Sequence, residues 1–238
     1  MPVLDSALLQ STLREELRAA WLKIHAEHVQ HRLYGFGVYT TDSASYLTVT
    51  AFSEDTLDAT AVAHAAAFSP GGRRADLREF ALKMGGTPDD PALQKQSLRW
   101  SPCDSPLHAA VSELLPRSDK MMQELDFEGR WALDDDAGDD DEDDDLPDPE
   151  VEEVFQVILQ VLKELDREGL FGTGAERERL VLSIWQGDQS NQSRHAFAKA
   201  LNPPAVTARF GQELNAAMRA YDRLYHGDEA TREDEVFE

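Results

Sequence analysis

Cysteine is almost missing from this chain. Cys103 is the only one in 238 residues, so no intrachain disulfide can form and a reducing compartment is expected. Long apolar runs are missing as well. No stretch approaches the roughly 20 apolar residues that a membrane-spanning helix needs. The N-terminal MPVLDSALLQSTLREEL has no basic region ahead of an apolar core, and acids come early in it. A secretory signal is therefore not expected, and the cytoplasm is the expected location. Bases are scarce: 23 lysines and arginines stand against 46 acids, a formal net charge of -23. A field of that sign repels nucleic acid and anionic lipid and attracts basic proteins. Arg73, Arg74 and Arg78 are the one local basic group, too little for a nucleic-acid surface.

The excess of acid is concentrated but not confined. Asp134–Asp145 reads DDDAGDDDEDDD, ten acids in twelve residues. Such a run has too little apolar surface to offset the entropy of ordering it, so a flexible insertion over 134–148 is expected. Without the run the chain still carries -13, and without the tail 228–238, expected to be acidic and disordered, it carries -8. One α+β domain over 1–227, interrupted by the run, is the expected organisation. Two small lobes joined by it are the alternative.

Periodicity supplies the elements. Leu9, Leu13, Leu17, Trp21, Ile24 and His28 recur at three- and four-residue steps, one apolar face of a helix from about Ser6 to His31. Leu33–Thr40 and Ser45–Phe52 flank a short polar turn and read as a hairpin. Gly35 and Gly37 leave one face of the first strand bare, which invites close packing by a backbone or a large ring. Ser53 caps a helix over 54–68, and a short one follows over 75–83. TPDDPALQ reads as loop, and SLRW (97–100) as a short edge strand that buries Trp100 beside the hairpin. A helical pattern runs from about Pro106 to Leu125 with a break at Pro116. Pro149 opens a helix with the buried stripe Val151, Val154, Phe155, Ile158, Leu162 and Leu165, stopped by Gly169. Arg179–Gln186 reads as a buried strand that takes Trp185 into the core, and helices follow over about 192–201 and 206–225. This order predicts α+β: a mostly antiparallel sheet of about four strands covered by helices.

Candidate chemistry is thin. Asp139, Asp141, Asp143 and Glu150 match four places of a calcium-binding EF-hand loop. Asp144, however, stands where the sharp turn needs glycine, and Pro147 occupies a ligand place. A solvated tether is the expected state. His25, His28 and His31 are three apart on the first helix, but no further ligand sits at a telling spacing, and His28 continues the apolar stripe. Cys103 lies near Asp104 and His108, with nothing to fix a nucleophile–base geometry. Ser183 and Ser190 lack a nucleophile-elbow pattern. The glycines of Gly172–Gly174 lack the preceding strand and following lysine of a phosphate loop. Asp166, Glu168, Glu178 and Asp188 pair only if the fold gathers them. The expectation is no catalytic residue, no metal and no cofactor.

Four segments together are similar to a known family: YGFGVYTTDSASYLTVTAFSED (34–55), LRWSPCDSP (98–106), LKELDREGLFGTGAERERLVLSIWQGDQS (162–190) and LNPPAVTARF (201–210). Their order resembles the bacterial proteins grouped as domain of unknown function 4303, with LRWSP and LDREGLFG as the more specific parts. The resemblance implies a bacterial, cytosolic, single-domain protein and carries over no catalytic residue. By analogy, small acidic α+β families of this kind resemble immunity proteins of toxin systems.

The expected function is therefore a cytosolic immunity protein that binds and neutralises a cognate, basic toxin. Its candidate contact residues are Trp100, Trp131, Tyr221, Tyr225, Asp139, Asp141 and Asp143. The alternatives are a non-catalytic regulatory or scaffold protein that binds another basic protein or a metabolite, and an enzyme with a dispersed site.

Overall fold

The computed structural model describes residues 3–28, 32–108, 112–125, 149–187, 189–227 and 237. Helix α1 (Ser6–Glu27) starts where the Asp5 carboxylate accepts the Leu8 amide at 2.9 Å. Its stripe Leu9, Leu13, Leu17, Trp21 and Ile24 is buried as the periodicity requires. Strand β1 (Leu33–Thr40) pairs antiparallel with β2 (Thr48–Ser53), and β3 (Val181–Gln186) joins the other side of β1 in parallel. Among the described residues the sheet has three strands in the order β2-β1-β3.

The fold is mixed α+β, as the pattern predicts, but the sheet is smaller than the expected four strands and half of its pairing is parallel. The missing strand is SLRW. It belongs to the last turn of α4 (Pro91–Leu98) and the turn after it. TPDDPALQ is correspondingly not all loop: Asp90 accepts the amides of Ala92 and Leu93, and Pro91 is the first helical residue. Asp followed by Pro is a helix-start signal that outweighs the loop composition around it. The helix expected from Pro106 begins only at Pro116, as α5 (Pro116–Leu125), after one 3-10 turn at Ser112–Leu114. Proline has no amide hydrogen to lose at a first helical position, so Pro116 opens this helix instead of breaking one. The other helices are α2 (Glu54–Ala67), α3 (Ala75–Lys83), α6 (Pro149–Arg167), the short and unanticipated α7 (Ala175–Arg179), α8 (Asn191–Leu201) and α9 (Pro204–Tyr225). Among the described residues no helix is long and apolar enough to cross a membrane.

The sheet separates two apolar layers, which is why its strands are buried nearly throughout. Phe36, Val38, Val49, Ala51, Leu182 and Ile184 face α1, α5 and α6. Phe52, Val181 and Trp185 face the opposite layer with Trp100, Phe210 and Leu214. A bulge between Leu33 and Gly35 shifts the alternation, so Tyr34 joins this second layer instead of the first. The bare face of β1 is filled as its glycines suggest. A Cβ on Gly35 would stand 2.9 Å from the Trp100 ring, and one on Gly37 would stand 1.8 Å from the Ser183 carbonyl oxygen.

Three polar joints hold the layers. Buried Glu16 of α1 accepts the Arg117 and Ser118 amides and the Ser118 hydroxyl, capping the start of α5 from another helix. Buried Arg177 reaches Asp166 of α6 and the carbonyls of Leu180 and Leu201. The Asn202 amide group spans Leu182 of β3, accepting its N–H at 2.9 Å and donating to its C=O at 2.7 Å, and so satisfies the outer side of that strand.

Candidate functional site

Where α1 ends and β1 begins, a cavity of about 420 Å³ opens over an aromatic floor of Trp21, Tyr34, Trp100 and Phe171. Its charged wall is built around Arg99. This guanidinium stands 2.8 Å from Glu54 and 3.3 Å from Glu213, and lies 4.3 Å over the Tyr34 ring. The Trp100 indole N–H donates to Glu213 at 3.1 Å, and the Tyr34 hydroxyl donates to the Arg99 carbonyl at 2.6 Å. Lys95 adds contacts to Glu54 (3.4 Å) and Asp58 (2.6 Å). Burial alone would raise the Glu54 carboxyl, but hydrogen bonds and charge from Arg99 and Lys95 override it and hold the group below its ordinary value. Burial likewise pushes the Tyr34 phenol well up. Both carboxylates at Arg99 are thus committed to cations, so neither is a free general base. The network fixes the end of α4 against α2 and α9.

A second cavity, of about 340 Å³, lies on the other side of Trp100. One wall is the α9 stripe Leu214, Ala217, Met218 and Tyr221, at the spacing of one helix face. The facing side carries Gln189 and Arg194. Arg194 escapes sequence reasoning altogether: a lone arginine in NQSRHAF carries no pattern, and only the packing of α8 on α9 turns it into a cavity.

The residues singled out from sequence scatter. Trp100 is 2% exposed, stacked on Trp185 with ring centroids 5.7 Å apart and edge-on to Phe210. Tyr221 is 49% exposed and packs on Tyr225, which leans on Phe68. Trp131, Asp139, Asp141 and Asp143 lie outside the described residues, as does the expected flexible run over 134–148. The expected tail over 228–238 lies outside them too, except Phe237, whose ring stacks on His195 at 4.6 Å. His25 and His28 line the first cavity, with His25 3.9 Å from Glu176, and His31 is outside the described residues. Among the described residues, no three His, Cys, Asp or Glu side chains are grouped to hold a metal ion.

The exposed Cys103 thiol is 3.6 Å from the Tyr39 hydroxyl, while the Tyr39 ring packs on His108 at 4.6 Å. Tyr39 thus stands between thiol and imidazole. Burial lowers the His108 pKa and raises that of Tyr39, and Asp104 is taken up by Ser101. Ser183 donates to the Ile184 carbonyl, Ser190 caps α8, and Asp166 and Glu168 pair with Arg177 and with Arg14 and Arg18. Asp188 is outside the described residues.

A protein-family model described as Domain of unknown function (DUF4303) matches residues 13–203. The chain belongs to this family. The DUF4303 match runs from within α1 to the end of α8 and covers the whole sheet. No curated protein and no solved structure matches the chain. The segments that carry the DUF4303 resemblance are built into the scaffold: LRWSP supplies Arg99 and Trp100, and LDREGLFG supplies Asp166, the partner of Arg177, and Gly169, whose φ of 77° ends α6. Arg209, Glu213, Tyr221 and Tyr225 of α9 lie beyond the match.

Proposed function

We propose that this DUF4303 protein is a cytoplasmic, non-catalytic immunity protein that binds and neutralises a cognate basic toxin. The observation that carries the reading is where the charge sits. The ten-acid run joins the end of α5 to the start of α6, and those helices with α1 already expose Glu15, Glu124, Glu152 and Glu153. Most bases on the same helices are engaged locally: Arg14 and Arg18 with Glu168, Lys23 with Glu113, Arg117 with Glu15 and Glu16, Lys120 with Glu124. Such a surface steers a cationic partner, while dissociation is governed by a few ordered anchors, for which exposed Tyr221 is a candidate.

The test reads the genes on either side of this one for a reading frame that ends in a small toxin-like domain, co-expresses that domain with the chain and measures their association across a salt series; neighbours that encode only metabolic enzymes count against the reading. The chain should restore growth, and the association rate should fall steeply with salt while dissociation changes little. Replacing 134–145 by a Gly/Ser linker should flatten the salt dependence, keep the complex and leave the unfolding midpoint nearly unchanged. Unrelieved toxicity with no complex refutes the reading. So does a native-host pull-down that returns only nucleic acid or metabolic enzymes. A salt-indifferent association rate removes steering from it.

A further inference from the structure

We propose that the cavity between α8, α9 and the turn after α4 is a binding site for a small amphiphilic monocarboxylate, anchored by Arg194. Arg194 is an anomaly in this chain. Acids outnumber bases two to one, yet its side chain makes no hydrogen bond or ion pair with any described residue. Its Nε is buried without an acceptor, and so is Nε2 of Gln189 beside it in the same wall. The groups that act on it electrostatically are the Cys103 thiol and the Tyr39 phenol, and burial outweighs them and lowers its pKa. Arg194 is half-buried, and partial burial of a guanidinium with no carboxylate against it is unfavourable, so an anion that enters the cavity would supply the missing charge. No carboxylate among the described residues lines the cavity.

The surroundings select the ligand. Arg194 sits in the first turn of the eleven-residue α8, where the helix dipole adds positive potential; the Ser190 hydroxyl caps the Ser193 amide there. One guanidinium presents a planar fork that matches one carboxylate with two parallel bonds, and Gln189 offers a further donor. A single positive charge balances a monoanion; a phosphate dianion would leave charge uncompensated in a partly desolvated site. Opposite, Leu214, Ala217 and Met218 offer an apolar wall, with Trp100 at the base and Tyr221 at the rim. The volume lies in the range of small-molecule sites, which orient ligands by a few polar groups on an apolar lining. A free molecule with one charge also meets far less repulsion from a chain of -23 than an acidic protein would. The site stands apart from toxin binding: it is tested on the purified protein alone.

The experiment uses the full chain, a panel of monocarboxylates from hexanoate to 3-phenylpropanoate and indole-3-acetate, their primary amides, and inorganic phosphate. Binding is read by ligand-observed NMR and by thermal shift. Carboxylates should bind about 10- to 100-fold tighter than their amides, the span expected for a charge-assisted hydrogen bond, and phosphate should bind more weakly than either acid of the aromatic pair. Arg194→Met should abolish the preference for the acid, with Arg194→Lys intermediate. Because it removes a half-buried charge with no carboxylate against it among the described residues, Arg194→Met should also raise the unfolding midpoint or leave it unchanged. A fall of several degrees makes Arg194 a structural group and overturns the assignment. It is equally overturned if amides or phosphate bind as well as the acids, if Arg194→Met binds them unchanged, or if no acid in the panel binds.

Discussion

Replacing Trp100 by alanine tests the architecture at its most connected point. The indole is 2% exposed and meets four rings: Trp185 stacked at 5.7 Å, and Tyr34, Phe52 and Phe210 at 4.9, 5.5 and 4.8 Å. Its N–H also holds Glu213, which shares Arg99 with Glu54. Truncating a buried tryptophan to alanine costs about 3–5 kcal/mol in transfer and cavity terms. The upper half of that range is expected here. Gly35 and Gly37 give the surrounding layer no side chain with which to fill the void. Against a typical net stability of about 5–15 kcal/mol this is a large fraction. At about 2–4 °C per kcal/mol for a chain of this size, the thermal midpoint should fall by roughly 8–20 °C. Trp100→Phe separates packing from polarity. It keeps most of the ring contacts and loses only the donor to Glu213, which retains Arg99, so the expected cost is about 1–3 kcal/mol. The assays are urea unfolding followed by far-UV circular dichroism, with midpoints compared at constant slope, and thermal unfolding for the shift in temperature. A change below about 1 kcal/mol for Trp100→Ala would mean that the aromatic layer is not a packed core, and the reasoning would fail.

Gly37→Ala should destabilise by about 3 kcal/mol or more, because the new methyl would meet the Ser183 backbone oxygen, which cannot rotate away; thermal unfolding checks it. Asn202→Ala should cost about 1–3 kcal/mol and speed amide exchange at Leu182, whose N–H and C=O it leaves facing outward without their partner. Stability should also depend on pH through Glu54. Its folded pKa lies below the ordinary 4.5, so its contribution is complete above that value and lost as pH falls through the lowered one. In acid titrations of stability, Glu54→Gln should therefore flatten the loss below about pH 4.5, and an unchanged profile would remove the Arg99–Lys95 network as its cause.

Much of the fold is legible in the sequence because it is written in local periodicity. The stripes of α1 and α6, the hairpin, the Ser53 cap and the Gly169 stop each depend on neighbours a few residues away, and each forms where the pattern places it. The glycines of β1 announce close packing, although not by what. The resemblance carried by LRWSP and LDREGLFG likewise identifies the family but not what those residues do in the fold. That becomes plain only when Arg99, Trp100, Asp166 and Arg177 are seen as joints between elements.

The misreadings have two causes, one local and one not. SLRW alternates like a strand, and Pro116 looks like a breaker, until a cap or a first-turn position is taken into account. Strand count and pairing direction are non-local: β3 reaches β1 across some 140 residues of chain, and nothing in VLSIWQ declares parallel from antiparallel. The candidate sites are more distant still. Glu16 capping α5, Arg99 between two carboxylates and half-buried Arg194 in one cavity with Gln189 each join residues whose meeting depends on how helices pack. Charge and periodicity are sums along a chain and can be read from it. A cavity and an uncompensated cation are properties of distances between segments, and those exist only once the layers have closed.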